Sequence, residues 1–276
     1  MKRRPDFQEL TYSQECSKIE FMKITVCQLE DDREGFRTSW ELLVDHAHNT
    51  KPDLILLPEM AFFPWFAQKN HFDSEIWNEA VRTHEQSLQL IQELSPACVL
   101  GTEPANTGNK RLNKAFMWSP QNGFQFAHTK YHLPDEKGFW EASWYHRGDG
   151  KFNPVSCKGV SVGFLICTDM WFFEHSRSYG ETGVQIVACP RVTPRSTLDK
   201  WLAGGRTVAV VSGAFCISSN KYSSSNDLNL GGLGWIIDPE GHVMGKTSQT
   251  EPIITIDIDI GIADQAKKTY PRYVPG

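Results

Sequence analysis

Three residues able to do chemistry together stand at equivalent places in this sequence, each at the end of a short apolar run. Glu59 ends L-I-L-L-P-E, Lys130 ends F-Q-F-A-H-T-K, and Cys167 ends V-G-F-L-I-C. A thiol is a nucleophile, a carboxylate a base, and an ammonium a stabiliser of negative charge developing on oxygen. Thr168 and Asp169 follow the cysteine and are helix N-cap types. Cys167 is therefore expected on a strand-to-helix turn, where a thiolate is favoured over a thiol. Each residue also has a plain explanation, since free cysteine is among the most buried residue types and a strand-end Glu or Lys is commonly just solvated. The three together carry the reading, because ligands in open α/β sheets bind beyond the carboxyl ends of the strands.

The elements that must position these residues follow from apolar periodicity. The pattern predicts strands over 23–29, 53–57, 98–103, 114–118, 124–128, 160–166, 185–188, 215–219, 234–237, 243–246 and 253–258. It predicts helices over 33–49, 74–94, 171–177 and 198–213, and a last helical stretch beyond 258. The first helix carries Phe36, Trp40, Leu43, Val44 and Ala47 on one face. Turn signals stand at N-T-G (106–108) and Q-N-G (121–123). The segment 129–150 lacks periodicity and is dense in aromatics and charges, a length of loop that is usually functional. Residues 1–21 are polar and aperiodic and read as a loose arm; 22–276 read as a single domain without linker or repeat. Helices and strands alternate early and strands cluster later, which points to a layered α/β fold with large mixed sheets.

Composition narrows the partners. The 276 residues are 40% hydrophobic and 22% charged with a net charge of −5, and no Lys/Arg run offers a nucleic-acid surface. No apolar stretch approaches the ~18–20 residues that span a bilayer. The start, M-K-R-R-P-D-F-Q, has no apolar segment after its basic residues, so no secretory signal is read there. Seven cysteines without a C-x-x-C indicate neither a disulfide framework nor a zinc site, and a reducing cytoplasm is expected. His128 and His132 stand four apart, but the segment lacks helical periodicity and Pro134 follows, so no metal is expected.

P-E at 58–59, K-Y-H-L-P-D-E-K-G-F-W-E at 130–141 and C-T-D-M-W-F-F-E-H-S-R at 167–177 resemble the signature segments of the nitrilase superfamily of carbon–nitrogen hydrolases. W-I-I-D-P-E-G at 235–241 is similar to that family's penultimate hairpin, and the likeness runs from about Lys23 to Asp259. The resemblance implies an α/β fold of four layers, an αββα sandwich with two mixed β-sheets. It also implies a homodimer or higher homo-oligomer built through helices beside the nucleophile. By position it makes Cys167 the nucleophile, Glu59 the general base, and Lys130 the residue that stabilises the tetrahedral intermediate. Glu141, eleven residues after Lys130, becomes a second acid that orients substrate and lysine. The backbone N–H of Thr168 is expected to join Lys130 at the oxyanion, and no metal or organic cofactor is implied.

Asp169 stands where the family's amidases and carbamoylases usually carry Asp and its nitrilases Glu, and the lysine segment is most similar to the N-carbamoyl amidohydrolase branches. The expected activity is thus that of a thiol amidohydrolase. It would cleave a small linear carboxamide or N-carbamoyl compound through a cysteine thioester and release ammonia. A nitrilase is the first rival and a catalytically silent binding member the second; the intact Glu59, Lys130, Cys167 and Glu141 weigh against silence. Three departures bear on the substrate: Thr168 replaces a bulky aromatic, Phe173 a proline, and P-R-V-T-P-R at 190–195 a run of small residues. Substrate contacts are expected from Thr168, Trp140, Trp171, Arg191 and Arg195. The two arginines, read as lying in a loop beyond strand 185–188, suit an acidic group on the substrate. Phe139, Trp140, Trp144 and Tyr145 are read as either pocket wall or core, and 171–173 as either subunit seam or core.

Overall fold

The apolar runs become strands of a sandwich. The computed structural model describes residues 21–87, 89–223 and 228–274; the expected arm lies outside the described residues except for Phe21, which opens the first strand. The chain starts as β1 (Phe21–Glu30), α1 (Arg33–Thr50), β2 (Leu54–Leu56) and α2 (Ser74–Ser87). An antiparallel run follows: β3 (Cys98–Thr107), β4 (Lys110–Ser119) and β5 (Gly123–Thr129). After a one-turn helix α3 (Glu141–Trp144) come β6 (Val155–Cys157), β7 (Val160–Phe164), α4 (Phe173–Glu181), β8 (Ile186–Arg191), α5 (Leu198–Ser212) and β9 (Phe215–Tyr222). β10 (Trp235–Ile237), β11 (Val243–Lys246), β12 (Ile253–Asp259) and α6 (Gly261–Ala266) close the described chain.

Two mixed sheets result, ordered β5-β4-β3-β2-β1-β12 and β6-β7-β8-β9-β10-β11. They join at one corner, where Gln28–Glu30 of β1 run parallel to Asn220–Tyr222 of β9. Ile24, Leu56, Leu100 and Met117 of the first sheet and Val162, Phe164, Ile186 and Ile217 of the second share one core between the sheets. Burying each such side chain contributes about 1.5–3 kcal/mol. Asp32 caps α1 by accepting from the N–H groups of Glu34 and Gly35, and the helix buries Trp40, Leu43 and Ala47 against the outer face of the first sheet. α5 covers the second sheet through Trp201, Val208 and Ala209. This is the αββα layering of the expected fold.

Several expected bounds move. The helix expected over 74–94 stops at Ser87, and Leu90–Leu94 form a separate 3-10 turn; a residue preceding proline, as Ser95 does, disfavours continued helix. β8 runs on past Ala188 to Arg191, and β9 past Ser219 to Tyr222. These extensions are polar yet buried, and Arg191 pairs with Asn220 across the sheet. β6, three residues long, carries no periodic signal and was not foreseen.

Candidate active site

Glu59 leaves the end of β2 in a turn held from both sides. Leu57 N donates to Leu100 O at 2.8 Å, and Met60 N donates to Thr102 Oγ1 at 2.8 Å. Met60 has a φ of 51°, a strained left-handed conformation for a residue with a side chain, and the turn aims the Glu59 carboxylate inward. That carboxylate is fully buried. Its Oε1 accepts from Lys130 Nζ at 2.9 Å and from Asn113 Nδ2 at 2.7 Å, while Oε2 has no hydrogen-bond partner among the described residues.

Lys130 follows β5 and donates its backbone N–H to Asn113 O at 2.9 Å, so β4 fixes both ends of the ion pair. Its ammonium reaches Glu141 as well, 2.8 Å from Oε1 and 2.6 Å from Oε2. Burial would drive Lys130 toward its neutral form, but Glu141 and Glu59 outweigh it and hold the ammonium well above its usual range. Glu141 opens α3, which is tied down by Trp140 N donating to Ala67 O at 2.7 Å and Ala142 N to Pro134 O at 3.1 Å. Burial pushes the Glu141 carboxyl up to about 8, against the pull of Lys130 and with a push from Glu59.

Cys167 comes just after β7, whose end is locked by a close approach. A side chain at Gly163 would come within 2.7 Å of the Tyr179 ring, and Tyr179 Oη accepts from Phe164 N and donates to Phe164 O at 3.1 and 2.9 Å. Cys167 itself opens a 3-10 turn, Cys167–Trp171, with φ at 48°. The thiol is 4% exposed and its Sγ lies 3.8 Å from Val192 O. The expected resting thiolate is corrected here: burial first, and then Glu59, push the thiol well above its ordinary value despite Lys130. Burial in this arrangement favours the Cys167 thiol over the thiolate.

Cys167 and Glu141 line a cavity of about 80 Å³ together with Thr168, Thr193, Trp201 and Glu136. A larger groove of about 420 Å³, lined by Phe36, Trp40 and Phe62, contains none of the four polar residues. Thr168 stands where it was expected; Trp140 and Trp171 do not line the cavity. Trp171 packs on Trp201 with ring centroids 5.0 Å apart and is 38% exposed.

Arg191 is corrected outright. It belongs to β8 rather than to a loop, and it is fully buried behind the cavity wall. Its Nε donates to Ser218 Oγ at 2.7 Å, Nη1 to Thr193 Oγ1 at 2.9 Å and Nη2 to Leu233 O at 2.8 Å. The guanidinium also stacks 3.9 Å from the Trp235 ring centroid. Arg195 is exposed, sits over Tyr222 and does not line the cavity.

Sequence reasoning missed three residues. Asn113 had no signal, being one polar residue in a strand. His128 was weighed only as a metal ligand; instead it meets Asp169, while His132 faces His175. Tyr145 was left between wall and core: its ring packs in a cluster with Phe66 and Trp77, yet its Oη has no hydrogen-bond partner among the described residues. Burial, and then Glu141, Glu59 and Cys167, push its phenol well above the usual range.

Comparison with known proteins gives one consistent direction. The sequence model of the carbon-nitrogen hydrolase family matches residues 23–268. A curated relative from Staphylococcus aureus, described as a hydrolase in the agr operon, is 25% identical over 231 residues, covering 82% of this chain and 85% of its own. The omega-amidase NIT2 of Mus musculus is 25% identical over 248 residues, covering 83% of this chain and 84% of its own. A crystal structure of a carbon-nitrogen hydrolase from Helicobacter pylori superposes with a TM-score of 0.80 at 18% identity, covering 91% of this chain and 94% of that one.

Proposed function

Since this chain belongs to the carbon–nitrogen hydrolase family, we propose that it is a thiol amidohydrolase cleaving a small linear carboxamide or N-carbamoyl compound through a Cys167 thioester. The observation that carries this reading is the Lys130 ammonium held between the Glu59 and Glu141 carboxylates in one buried cluster with Cys167. Glu59 Oε2, lacking a hydrogen-bond partner among the described residues, suits the base. It takes the thiol proton as Sγ attacks the carbonyl carbon. Lys130 Nζ and the Thr168 N–H face the oxyanion that forms. The C–N bond then breaks as Glu59 returns the proton to the departing nitrogen. Glu59 next removes a proton from water, whose oxygen adds to the thioester; the acid leaves and the thiol is restored.

The cavity favours a small acyl group without a negative charge. Its described lining holds no arginine or lysine, and its acidic groups are Glu141 inside, its carboxyl raised to about 8 by burial, and the exposed Glu136. A substrate carboxylate would find no partner there, whereas a neutral or cationic tail would.

Ammonia release over a panel of carboxamides, N-carbamoyl compounds and nitriles tests the reading, with Cys167→Ala as control and hydroxylamine present to trap the acyl group. Turnover of amides with hydroxamate formed only by the native chain is expected. Nitrile turnover without amide turnover, or release that survives Cys167→Ala, would overturn it.

A further inference from the structure

A second pair of chemically active side chains lies at the far end of the interior, away from the Cys167 cavity. Cys98 opens β3 in one sheet and Cys157 closes β6 in the other, so the two thiols approach from opposite faces of the sandwich. Both belong to the core between the sheets, 2% and 1% exposed, and both line the same cavity. Other described cysteines engage different groups: Cys27 Sγ donates to Leu56 O and Cys189 Sγ to Leu165 O.

The pair is buried but not sealed. Cys98 and Cys157 line one cavity of about 250 Å³ with Gln121, Asn122, Ser156 and Lys158, and these four are exposed. A small solute entering between the 121–122 turn and the β6–β7 turn therefore meets both sulfurs. Lys158, whose Nζ bonds Asp53 Oδ1 at 2.7 Å, stands beside them.

We propose that Cys98 and Cys157 form a redox-active dithiol which a hydroperoxide closes into a disulfide between the two sheets. The two thiols are not equivalent. The neighbouring Cys157 thiol, helped by Lys158, holds the Cys98 thiol below its usual value against burial, while Cys157 is pushed the other way. Cys98 is the attacking thiolate. Its sulfur takes the terminal oxygen of the peroxide, the O–O bond breaks, and the oxygen that departs leaves as water (or alcohol) with the thiol proton. The Cys98 sulfenic acid then meets Cys157: the S–S bond forms, the S–O bond breaks, and the Cys157 proton leaves with that oxygen as a second water. Two thiols lose two electrons and two protons, and a thiol reductant reverses the change. None of these steps uses Glu59, Lys130 or Cys167.

Peptide mapping of the native chain tests this without any activity readout. The protein is treated with hydrogen peroxide, alkylated under denaturing conditions and cut with trypsin. A species joining peptide 83–110 to peptide 152–158 is expected, lost on dithiothreitol treatment, whatever happens to Cys167 in its own peptide 159–177. In Cys157→Ser, Cys98 should persist as a sulfenic acid that dimedone traps; the native cross-link decides if that variant does not fold. Recovery of both cysteines fully alkylated while Cys167 is oxidised would overturn the proposal. So would over-oxidation of Cys98 with Cys157 still free.

Discussion

His128 Nε2 lies 3.0 Å from Asp169 Oδ2, and neither side chain reaches solvent. The other ring nitrogen, Nδ1, is 3.0 Å from the carbonyl oxygen of Lys151. Both ring nitrogens thus meet oxygen atoms, one from a carboxylate and one from the backbone. Asp169 spends its second oxygen on the backbone N–H groups of His132 and Tyr131, at 2.9 and 3.3 Å. The turn after Cys167 is thereby bolted to the segment after Lys130. Cys167 and Lys130 hold their relative place through Asp169, two residues after the first, and Tyr131, one residue after the second.

Removing the ring should therefore damage both stability and rate. His128→Leu leaves the buried Asp169 Oδ2 without its ring partner, and an unsatisfied buried polar group costs about 1–3 kcal/mol. Removing both partners, in His128→Leu with Asp169→Leu, should recover part of the melting temperature and none of the activity. Calorimetry and kcat on the three variants check this; a single variant as stable as the native chain would sink it.

Asn113 is expected to act on Glu59 alone. Its amide supplies the second donor to Oε1, so Asn113→Leu should leave the Glu59–Lys130 bond in place but loosen the carboxylate. One hydrogen bond to a charged group is worth about 1.5–3 kcal/mol, or roughly 10- to 150-fold in rate. The loss should fall on kcat, with KM little changed, because no substrate contact is removed. A rise in KM at constant kcat would instead make Asn113 part of the binding surface.

What the sequence disclosed follows a physical boundary. Glu59 and Cys167 were legible because each follows an apolar run that becomes a buried strand, while Lys130 follows β5, an edge strand whose Phe124 and Phe126 are exposed. Glu141 was legible only through the resemblance of the 130–141 segment, since nothing in its neighbours marks a one-turn helix. Asn113 and His128 were hidden because a polar residue in a strand looks like a solvent-facing one until its partner is seen. Arg191 misled for the opposite reason. Cys189, Pro190 and Arg191 read as a loop, for proline is scarce inside sheets. Here the strand continues in register with Ser218, Ser219 and Asn220, whose side chains help satisfy the buried polar groups.

From that placement Arg191→Leu should behave as a stability variant. Three donors and the stacking on Trp235 are lost together; Ser218 keeps its bond to Cys189 O and Thr193 its bond from Asn220, but the Leu233 carbonyl loses its Arg191 partner, at about 1–3 kcal/mol where water cannot reach. Measured below its melting point, the variant should lose activity by the same factor on a carboxylate-bearing amide and a neutral one. Glu136→Gln should be the reverse: unchanged melting, and a fall confined to cationic substrates. A selective loss on acidic substrates in Arg191→Leu would restore that residue to the pocket.

Glu141 gives the site a pH signature. Burial raises its carboxyl from 4.5 to about 8, so the folded chain holds a proton there that the unfolded chain has released. A raised folded value means that the native state binds more protons across that window, and stability then falls as pH rises. The contribution is fully present below about 4.5 and is lost as pH passes through about 8. Glu141→Gln removes this titration and keeps a neutral side chain of the same length. The native chain should therefore lose stability relative to the variant between pH 5 and pH 9, read from urea midpoints at each end. In kinetics, the step near pH 8 in the profile of kcat/KM should be present in the native enzyme and absent from the variant, whatever its residual rate. Because Lys130 is bonded to it, the native step reports the coupled pair rather than one carboxyl. A native chain that gains stability relative to Glu141→Gln toward pH 9 would mean that Lys130, not burial, governs this acid.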